Sequence, residues 1–327
     1  MRACVPTPRP ETVTLSEEAT VSVDFETWNA GGTDIIARAV VAAPSVHDTQ
    51  PWNLYLPGQS AELEERTEFA EPGGDPLRPD RTISCGTAVA NLELAVRVLG
   101  YRTRTALFPD PDRSALVARV DAVEAAAPSN WDLRLYAAIS HRRSHRESFA
   151  GVPVPAETIA DVISAAAEVP GIHVMLLAPD EASALAGTLT YAAEAKRRHQ
   201  HYQREMFSWT SHWQPDGNAE VVTTWNTGLD ERGAAGAALI TTGVPDPAAL
   251  SDSIARETVL LFVPDSSEPE DLVRVGMAAQ RAWLAAVDAR LSASVLTHPL
   301  RIGDSASRLA ELLDLPAPPQ LIMRIGF

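Results

Sequence analysis

A helical pattern occurs twice along the chain at a constant offset, and it constrains the fold more than any other feature. Residues 86–96 and 276–286 carry four identical pairs, namely Gly86/Gly276, Ala88/Ala278, Leu94/Leu284 and Ala95/Ala285. Apolar residues recur at helical spacing in the first stretch, which predicts a long helix over 85–100. Two alanine-rich helices can share this many residues through composition alone. The repeat alone is therefore weak evidence, and it favours a tandem duplication only when a second observation supports the same conclusion.

Helices and strands are predicted on both sides of a boundary near Asn130. The first half is predicted to hold helices at 34–42 and 85–100 and strands at 52–56, 62–69, 101–108 and 116–123. The second half is predicted to hold helices at 131–140, 156–167, 180–206, 269–290 and 304–313, and strands at 172–178, 257–263, 293–297 and 319–326. Thr33 is expected to cap the first helix, with Asp34 in its first turn.

Two stretches carry no regular pattern. Residues 1–30 are rich in Pro, Thr and Glu, and we interpret them as a poorly ordered arm. Residues 207–253 contain three Trp, five Gly and three Pro, and we expect an irregular insertion that is either a functional lid or disordered. Trp209, Trp213 and Trp225 are candidates to cover a ligand, to pack in the core or to contact a second molecule.

The composition excludes several classes of function. A net charge of −16 argues against nucleic acid and anionic membranes as partners, because both attract basic surfaces. The two cysteines, Cys4 and Cys85, imply neither a disulfide framework nor a cysteine-rich metal site. No apolar stretch reaches the roughly 18 residues that a membrane span requires, and the N-terminal region does not resemble a secretory signal. We therefore expect a cytoplasmic protein without a metal.

Two short segments are the candidates for a binding site. Residues 42–52 read Ala-Ala-Pro-Ser-Val-His-Asp-Thr-Gln-Pro-Trp, and residues 142–149 read Arg-Arg-Ser-His-Arg-Glu-Ser-Phe. Alternate side chains of an extended chain point the same way, so Arg142, Ser144 and Arg146 can converge on one anion. Guanidinium groups suit a phosphate because they stay charged and bind it through paired hydrogen bonds. A basic segment that merely ends a helix is the alternative interpretation.

Together these segments resemble the two parts of the flavin mononucleotide (FMN) site in the nitroreductase-like family. In that family an Arg-x-Ser-x-Arg/Lys segment opens each subunit, and an Ala-Pro-Ser-x-x-Asn-x-Gln-Pro-Trp segment follows it. Here the order is reversed, and the first half has Ala30-Gly-Gly-Thr33 where the basic segment would stand. The arrangement resembles the Acg-like branch, in which two nitroreductase halves are fused. It implies an α+β nitroreductase-like fold of two tandem halves that form an intramolecular pseudo-dimer, with an arm at 1–30, a first half at 31–128 and a second half at 129–327 that includes a lid at about 207–253.

The resemblance also assigns roles to individual residues. It implies that the isoalloxazine ring is contacted by Pro44, Ser45, Val46 and Asp48. The phosphate and ribityl chain would be contacted by Arg142, Arg143, Ser144 and Arg146. The backbone beside the flavin N5 would be that of Thr297, His298 and Pro299. Asp48 stands where the family usually has Asn, and an ionised carboxylate can only accept hydrogen bonds, so its contact would need a neighbouring Arg. Gln50 and Trp52 are expected to brace the turn. His47 is either a catalytic acid or a structural residue, and no catalytic side chain is assigned.

The implied activity is that of an FMN-dependent oxidoreductase. It would pass hydride from NAD(P)H through flavin N5 to a small acceptor, such as a nitroarene, a quinone or a dedicated metabolite, and the chemistry would belong mainly to the cofactor. The alternative is a non-catalytic FMN-binding or flavin-storage protein whose lid occludes the ring. A self-contained pseudo-dimer is expected to be a monomer whose partner is a small-molecule substrate.

Overall fold

The computed structural model describes residues 11–14, 20–23, 28–66, 78–145, 149–198 and 246–327. The chain divides into two compact units, residues 1–139 and 140–327, which are called the first and the second unit below. The sequence placed this division after residue 128. The division falls later because the helix at Asn130–Ile139 packs on the central helix of the first unit.

The first unit contains a six-stranded sheet. Its strands are β1 (Glu11–Thr14), β2 (Thr20–Val23), β3 (Trp52–Leu56), β4 (Ser60–Glu65), β5 (Tyr101–Leu107) and β6 (Leu116–Ala125), in the order β1-β2-β3-β4-β6-β5. β2 and β3 are parallel, whereas the other neighbouring strands are antiparallel. The helices are α1 (Ala30–Val41), α2 (Arg78–Val98) and α3 (Asn130–Ile139).

Helix α2 is the centre of the first unit. Every residue from Asp80 to Val96 is buried, since α1, α3 and strands β4, β5 and β6 all contact this helix. The predicted start at residue 85 is wrong, because the charged residues of the first turn do not continue the apolar spacing from which the helix was predicted. The true first turn includes Arg81, whose buried guanidinium lies 3.3 Å from the Glu65 carboxylate.

The second unit contains a four-stranded antiparallel sheet. Its strands are β7 (Ile172–Leu176), β8 (Thr258–Pro264), β9 (Ser292–Leu296) and β10 (Leu321–Gly326), in the order β7-β8-β10-β9. The helices are α4 (Ala156–Ala167), α5 (Ala182–Arg198), α6 (Pro247–Ile254), α7 (Pro269–Asp288) and α8 (Ser305–Leu312).

Both faces of this sheet are covered. Val259, Leu261 and Val263 of β8 join one apolar core with residues of α5, α6 and α8. The intervening residues of a strand point to the opposite face, and helix α7 packs against β8, β9 and β10. The continuous apolar run of β8 is therefore buried on both sides, as its burial pattern shows.

The two units share one strand order. Four strands of each unit are antiparallel throughout, in the orders β3-β4-β6-β5 and β7-β8-β10-β9. In the chain, a long helix follows β4 in the first unit and β8 in the second. These helices are α2 and α7, and the offset that relates Gly86 to Gly276 also brings their ends into register. β5 and β9 then follow at nearly the same offset. The repeat seen in the sequence thus coincides with a repeat of topology.

The described residues differ from three local predictions. Helix α1 is capped by Asn29, whose side chain accepts a hydrogen bond from Gly32 N at 2.8 Å, because this cap is available upstream of Thr33. The arm predicted at 1–30 contains β1 and β2, and the β-branched residues of 20–23 suit a strand that pairs with β3. The irregular insertion predicted at 207–253 lies outside the described residues up to 245, but its last part is helix α6, which the Asp246 side chain caps through Ala249 N at 3.1 Å.

Candidate functional site

The Pro44–Trp52 loop of the first unit is fastened to helix α2. Thr87 Oγ1 donates a hydrogen bond to Pro44 O at 2.6 Å, and Val46 N donates to Ser84 Oγ at 3.0 Å. Ser84 and Thr87 are one helical turn apart, so both project from one side of the helix. The predicted contact residues Pro44 and Val46 are therefore held by main-chain atoms, whichever side chains they carry.

The loop is also closed on itself. Ser45 Oγ accepts a hydrogen bond from Gln50 N at 2.9 Å, and the Thr49 hydroxyl donates to Val46 O at 2.8 Å. A serine hydroxyl can accept and donate at once. The half-buried Ser45 side chain thus fixes the loop and retains a donor for a ligand.

Three residues of this loop have left-handed backbone conformations without being glycine. The φ angles are 51° for His47, 54° for Asp48 and 44° for Gln50. Such conformations cost on the order of 1 kcal/mol each and persist where the surroundings over-determine them. The anchors are Trp52, which is fully buried, and the Gln50 side-chain amide, which donates to Val41 O at 3.3 Å. Both residues brace the turn as the sequence predicted, while His47 and Asp48 are exposed.

In the second unit, the basic segment lies beside strand β9. Ser144 forms a parallel bridge with Ala293, and His145 N donates to Ala293 O at 2.9 Å. Strand β9 leads directly to Thr297, His298 and Pro299 in the turn that follows it. The basic segment thus lies beside the start of the strand whose end leads to the other predicted part of the site.

The two adjacent arginines of the segment have different neighbours. The Arg142 guanidinium lies over the Trp283 ring of α7, with Cζ 4.7 Å from the ring centroid. Arg143 Nη1 donates to Ser140 O at 3.0 Å and to Arg142 O at 2.7 Å, so this side chain turns back towards the preceding helix end. Ser144 is exposed. Arg146, the third residue of the predicted phosphate set, lies outside the described residues.

Phe149 anchors the end of the segment to strand β10. Its ring stacks on His145 at a centroid distance of 4.8 Å, and the Arg324 guanidinium lies 5.1 Å from its centroid. Ala150 N donates to Phe327 O at 2.9 Å, which ties the segment to the residue that follows β10. Arg324 is buried and forms two hydrogen bonds with the Glu257 carboxylate, at 2.5 and 2.6 Å.

The predicted residues after β9 form a short turn. Thr297, His298 and Pro299 are half-buried, and Leu300 N donates to Thr297 O at 3.0 Å. Arg301 secures the turn through Gln320, donating to its side-chain oxygen at 2.5 Å and to its main-chain oxygen at 3.1 Å.

Sequence reasoning missed Ser84, Thr87 and Trp283, which hold the two predicted segments in place. Thr87 follows Gly86 within the repeated helical pattern, and a hydroxyl on such an apolar helix was the available signal. Nothing in the sequence linked Trp283 to Arg142, because a contact between a helix and a distant loop leaves no local pattern.

Other kinds of site find no support in the ranges that the structure describes. No group of three or more metal-binding side chains occurs there. None of the helices in those ranges has the length and apolar character that a membrane crossing requires. Burial, with a further contribution from Glu65, raises the pKa of the Cys85 thiol well above its ordinary value. Cys85 therefore stays protonated at neutral pH and is no nucleophile.

Comparison with known proteins identifies the family. The model of the nitroreductase family matches residues 139–327, which is more than half of the chain and includes both Arg142–Ser144 and Thr297–Pro299. The chain therefore belongs to the nitroreductase family.

Two relatives from Mycobacterium tuberculosis H37Rv extend over most of the chain. "Putative NAD(P)H nitroreductase Rv3131" is 28% identical over 298 residues, which cover 89% of this chain and 84% of the relative. "Putative NAD(P)H nitroreductase acg" is 24% identical over 306 residues, which cover 90% and 89% of the two chains.

Solved structures show more distant similarity. The FMN-dependent nitroreductase NfnB from Mycobacterium smegmatis in complex with NADPH has a TM-score of 0.39 and 16% identity, over 60% of this chain and 87% of that chain. A nitroreductase with bound FMN from Bacteroides fragilis has a TM-score of 0.37 and 11% identity, over 59% and 87%. The family assignment rests on the family model, not on these structures.

Proposed function

We propose that the protein is an FMN-dependent oxidoreductase that takes hydride from NAD(P)H and passes it to a small acceptor. The observation that carries this proposal is the pairing of Ser144 with Ala293, which sets the basic segment beside the strand that leads to Thr297. Both elements lie within the region matched by the family model. The two Mycobacterium tuberculosis relatives are named as NAD(P)H nitroreductases and support the same donor.

The residues of the second unit fit the phosphate end of FMN. A phosphate group carries close to two negative charges and needs fixed, charged donors. Arg142 supplies a permanent positive charge that is held on α7, and Ser144 supplies an exposed hydroxyl that is held on β9. From Ala293 to Thr297 an extended strand spans about 13 Å. Phosphate contacts at Arg142 and Ser144 and ring contacts at Thr297, His298 and Pro299 thus fall at the two ends of one strand, and Arg146 is proposed as a further phosphate contact.

The first unit is proposed to contribute the ring-binding loop at Pro44, Ser45 and Val46. The hydrogen bonds from Ser84 and Thr87 favour this role, because a loop that is fixed before the ligand arrives loses little entropy on binding. Asp48 lies in this loop as an exposed carboxylate, and its contact with flavin stays a prediction. Arg143, which donates to main-chain oxygens nearby, also remains a predicted cofactor contact.

Bound FMN would supply the redox chemistry, accepting hydride at N5 and passing it on to the acceptor. The chain's own residues bind and orient the cofactor. Arg142 and Arg146 neutralise the phosphate, Ser144 adds a hydrogen bond, and Ser45 offers its hydroxyl to the ring. Nitroarenes, quinones and a dedicated metabolite remain the acceptor classes that fit such a site.

The shared strand order supports a pseudo-dimer built from two nitroreductase-like halves in one chain. β3-β4-β6-β5 with α2 has the same topology as β7-β8-β10-β9 with α7, and helix positions agree at one offset. The first half lacks an Arg-x-Ser-x-Arg segment at Ala30–Thr33, so we propose one FMN per chain and a monomeric protein.

Cofactor binding is the first test. Purified protein is expected to take up one equivalent of FMN, and Arg142→Ala and Arg146→Ala should each weaken binding by about 1–3 kcal/mol. Arg102→Ala removes an exposed arginine of the first unit and serves as the control. Unchanged affinity in both site variants would overturn the phosphate assignment.

Reduction by the nicotinamide cofactor is the second test. Anaerobic mixing of the FMN-loaded protein with NADH or NADPH should bleach the oxidised flavin absorbance within seconds. An oxidised flavin that never bleaches with either donor would instead establish a flavin-storage protein. Protein that takes up no FMN at all would reject both functions.

A further inference from the structure

We propose that Trp283 is a positioning residue that holds the Arg142 guanidinium in place for the flavin phosphate, and that it makes binding selective for FMN over riboflavin. This inference rests on the function proposed above. It concerns a side chain of helix α7 that neither of the two sequence motifs contains. Its evidence is the contact between a buried aromatic ring and a charged group of the basic segment.

Trp283 is a rigid support for a cation. Only 1% of its surface is exposed, and it stands in a run of buried residues from Val275 to Ala286. The Arg142 Cζ lies 4.7 Å from its ring centroid. Among aromatic side chains, tryptophan attracts a cation over its face most strongly, and the attraction is larger where water is excluded.

Arg142 is fixed from two sides. Its guanidinium rests on α7, and its backbone shortly precedes Ser144, which pairs with Ala293 on β9. A long arginine side chain normally loses roughly 2 kcal/mol of rotamer entropy when it is ordered, but here much of that ordering precedes the ligand. The attraction of a cation to an aromatic face needs no hydrogen bond from the guanidinium N–H groups. The contact with Trp283 therefore restricts the Arg142 side chain without using its donors.

The indole nitrogen of Trp283 takes no part in the contact with Arg142. Trp283 Nε1 is buried and has no hydrogen-bond partner among the residues that the structure describes. An unpaired buried donor is unfavourable, and a phenylalanine or leucine would fill a core position without that cost. Trp52 Nε1 is buried and likewise has no partner among the described residues, so it is the contact of the ring face with Arg142 that distinguishes Trp283.

The first unit has a charged residue in place of tryptophan at the position that corresponds to Trp283. The sequence offset that pairs Gly86 with Gly276 makes Glu93 of α2 the counterpart of Trp283 of α7. Glu93 is buried, accepts a hydrogen bond from Thr105 Oγ1 at 2.5 Å and lies 3.7 Å from Arg97 Nη2. Glu93 already lies beside Arg97 and Thr105, and it has no aromatic face on which a second arginine could rest. The contrast fits a single phosphate-binding position per chain.

The experiment compares FMN with riboflavin, which has the same ring and no phosphate. Dissociation constants for both flavins are measured for the wild type, Trp283→Phe and Trp283→Leu. The ratio of the riboflavin constant to the FMN constant should fall about tenfold in Trp283→Leu and less in Trp283→Phe, because phenylalanine keeps a weaker aromatic face. If Trp283 has only a structural role, its substitution should weaken the binding of both flavins equally and leave the ratio unchanged. An unchanged ratio would overturn the inference.

Trp131→Leu is the matched control. Arg134 lies over the Trp131 ring at 4.8 Å in helix α3, which gives a similar contact between residues that belong to neither motif. Its ratio should equal that of the wild type. If Trp283→Leu does not fold, Trp283→Phe and Arg142→Lys decide the matter, since lysine keeps the charge and lacks the planar face. Wild-type FMN selectivity in both of these would also overturn the inference.

A double variant separates this inference from the proposed function. In an Arg142→Ala background, Trp283→Phe should change the FMN-to-riboflavin ratio no further, because the group that it positions is already absent. A further fall in the ratio would contradict positioning through Arg142. If the wild type binds neither flavin, the proposed function fails first, whereas a wild type that binds FMN with an unaltered ratio in all Trp283 variants refutes only the role of Trp283.

Discussion

Phe149 occupies the space that a side chain at Gly326 would need. A Cβ at position 326 would lie 2.5 Å from Phe149 Cγ and 2.7 Å from its Cδ1. The Phe149 ring is itself confined by His145 and Arg324. The end of the basic segment is therefore packed against strand β10, and the glycine there is a steric requirement.

Gly326→Ala should disturb this packing. We expect a loss of stability of about 1–3 kcal/mol and weaker FMN binding, because a displaced Phe149 moves the segment that contains Arg142 and Ser144. Urea unfolding and FMN titration measure the two effects. Gly187→Ala is the control: its Cβ would meet nothing within 4 Å, and alanine should favour helix α5 by up to about 1 kcal/mol. Equal stability of the wild type and Gly326→Ala would show that the ring moves aside without cost.

The buried pair of Arg324 and Glu257 should be essential for stability. Glu257→Gln keeps the shape of the side chain but leaves the Arg324 charge unbalanced in the interior, which should cost about 3 kcal/mol. Glu124→Gln breaks an exposed pair with Arg102 and should change the free energy of unfolding by less than about 1 kcal/mol. If the two variants have similar free energies of unfolding, burial does not make the Arg324–Glu257 pair more important for stability than the exposed pair.

The hydroxyls that hold the Pro44–Val46 loop should affect ligand binding. Thr87→Val and Ser84→Ala each remove one hydrogen bond to the loop and should lower stability by about 1 kcal/mol. FMN affinity should fall in the double variant, because a loosened loop must be ordered on binding. Thr82→Val is the control on the same helix, since the Thr82 hydroxyl donates to Arg78 O within α2. If the double variant and the control bind FMN with equal affinity, the loop does not contribute to cofactor binding.

Acid should destabilise the first unit through Glu62. Burial raises the pKa of the Glu62 carboxyl, but hydrogen bonds and charges from Arg113 and Arg119 outweigh it and hold the pKa below its ordinary value of 4.5. A depressed pKa in the folded state means that this stabilisation is complete above about pH 4.5 and is lost as the pH falls through the folded value. Unfolding by urea between pH 7 and pH 3 should therefore show a smaller loss of stability in Glu62→Gln than in the wild type. Parallel curves for the two proteins would exclude Glu62 as a contributor.

Local patterns predicted much of the fold. Strand β3 at 52–56 and helix α4 at 156–167 begin and end where the sequence predicted, because each has a clear periodicity between proline or glycine residues. The errors occurred where tertiary contacts override local preference. Charged residues such as Arg81 begin α2 because a distant carboxylate pairs with them, and no local pattern at 78–81 indicates that partner.

The sequence proposed the parts of the candidate site but not the contacts that hold them. The resemblance to family motifs selected Pro44–Val46 and Arg142–Ser144 as candidates, and their contacts with a cofactor stay predictions. The supports of these segments, Thr87 and Trp283, stand far along the chain from Pro44 and Arg142, the residues that they contact. Such pairings depend on how helices pack, and a single sequence gives no information about which distant residues meet.

The repeated topology has a consequence for how this protein can change. In a symmetric homodimer one altered codon appears twice, so both its benefit and its thermodynamic penalty are doubled. Here the counterpart positions Trp283 and Glu93 are encoded separately, so either can be replaced while the other is kept. In the proposed pseudo-dimer, a substitution at one of two paired positions therefore carries its thermodynamic penalty once, whereas in identical subunits it carries that penalty twice.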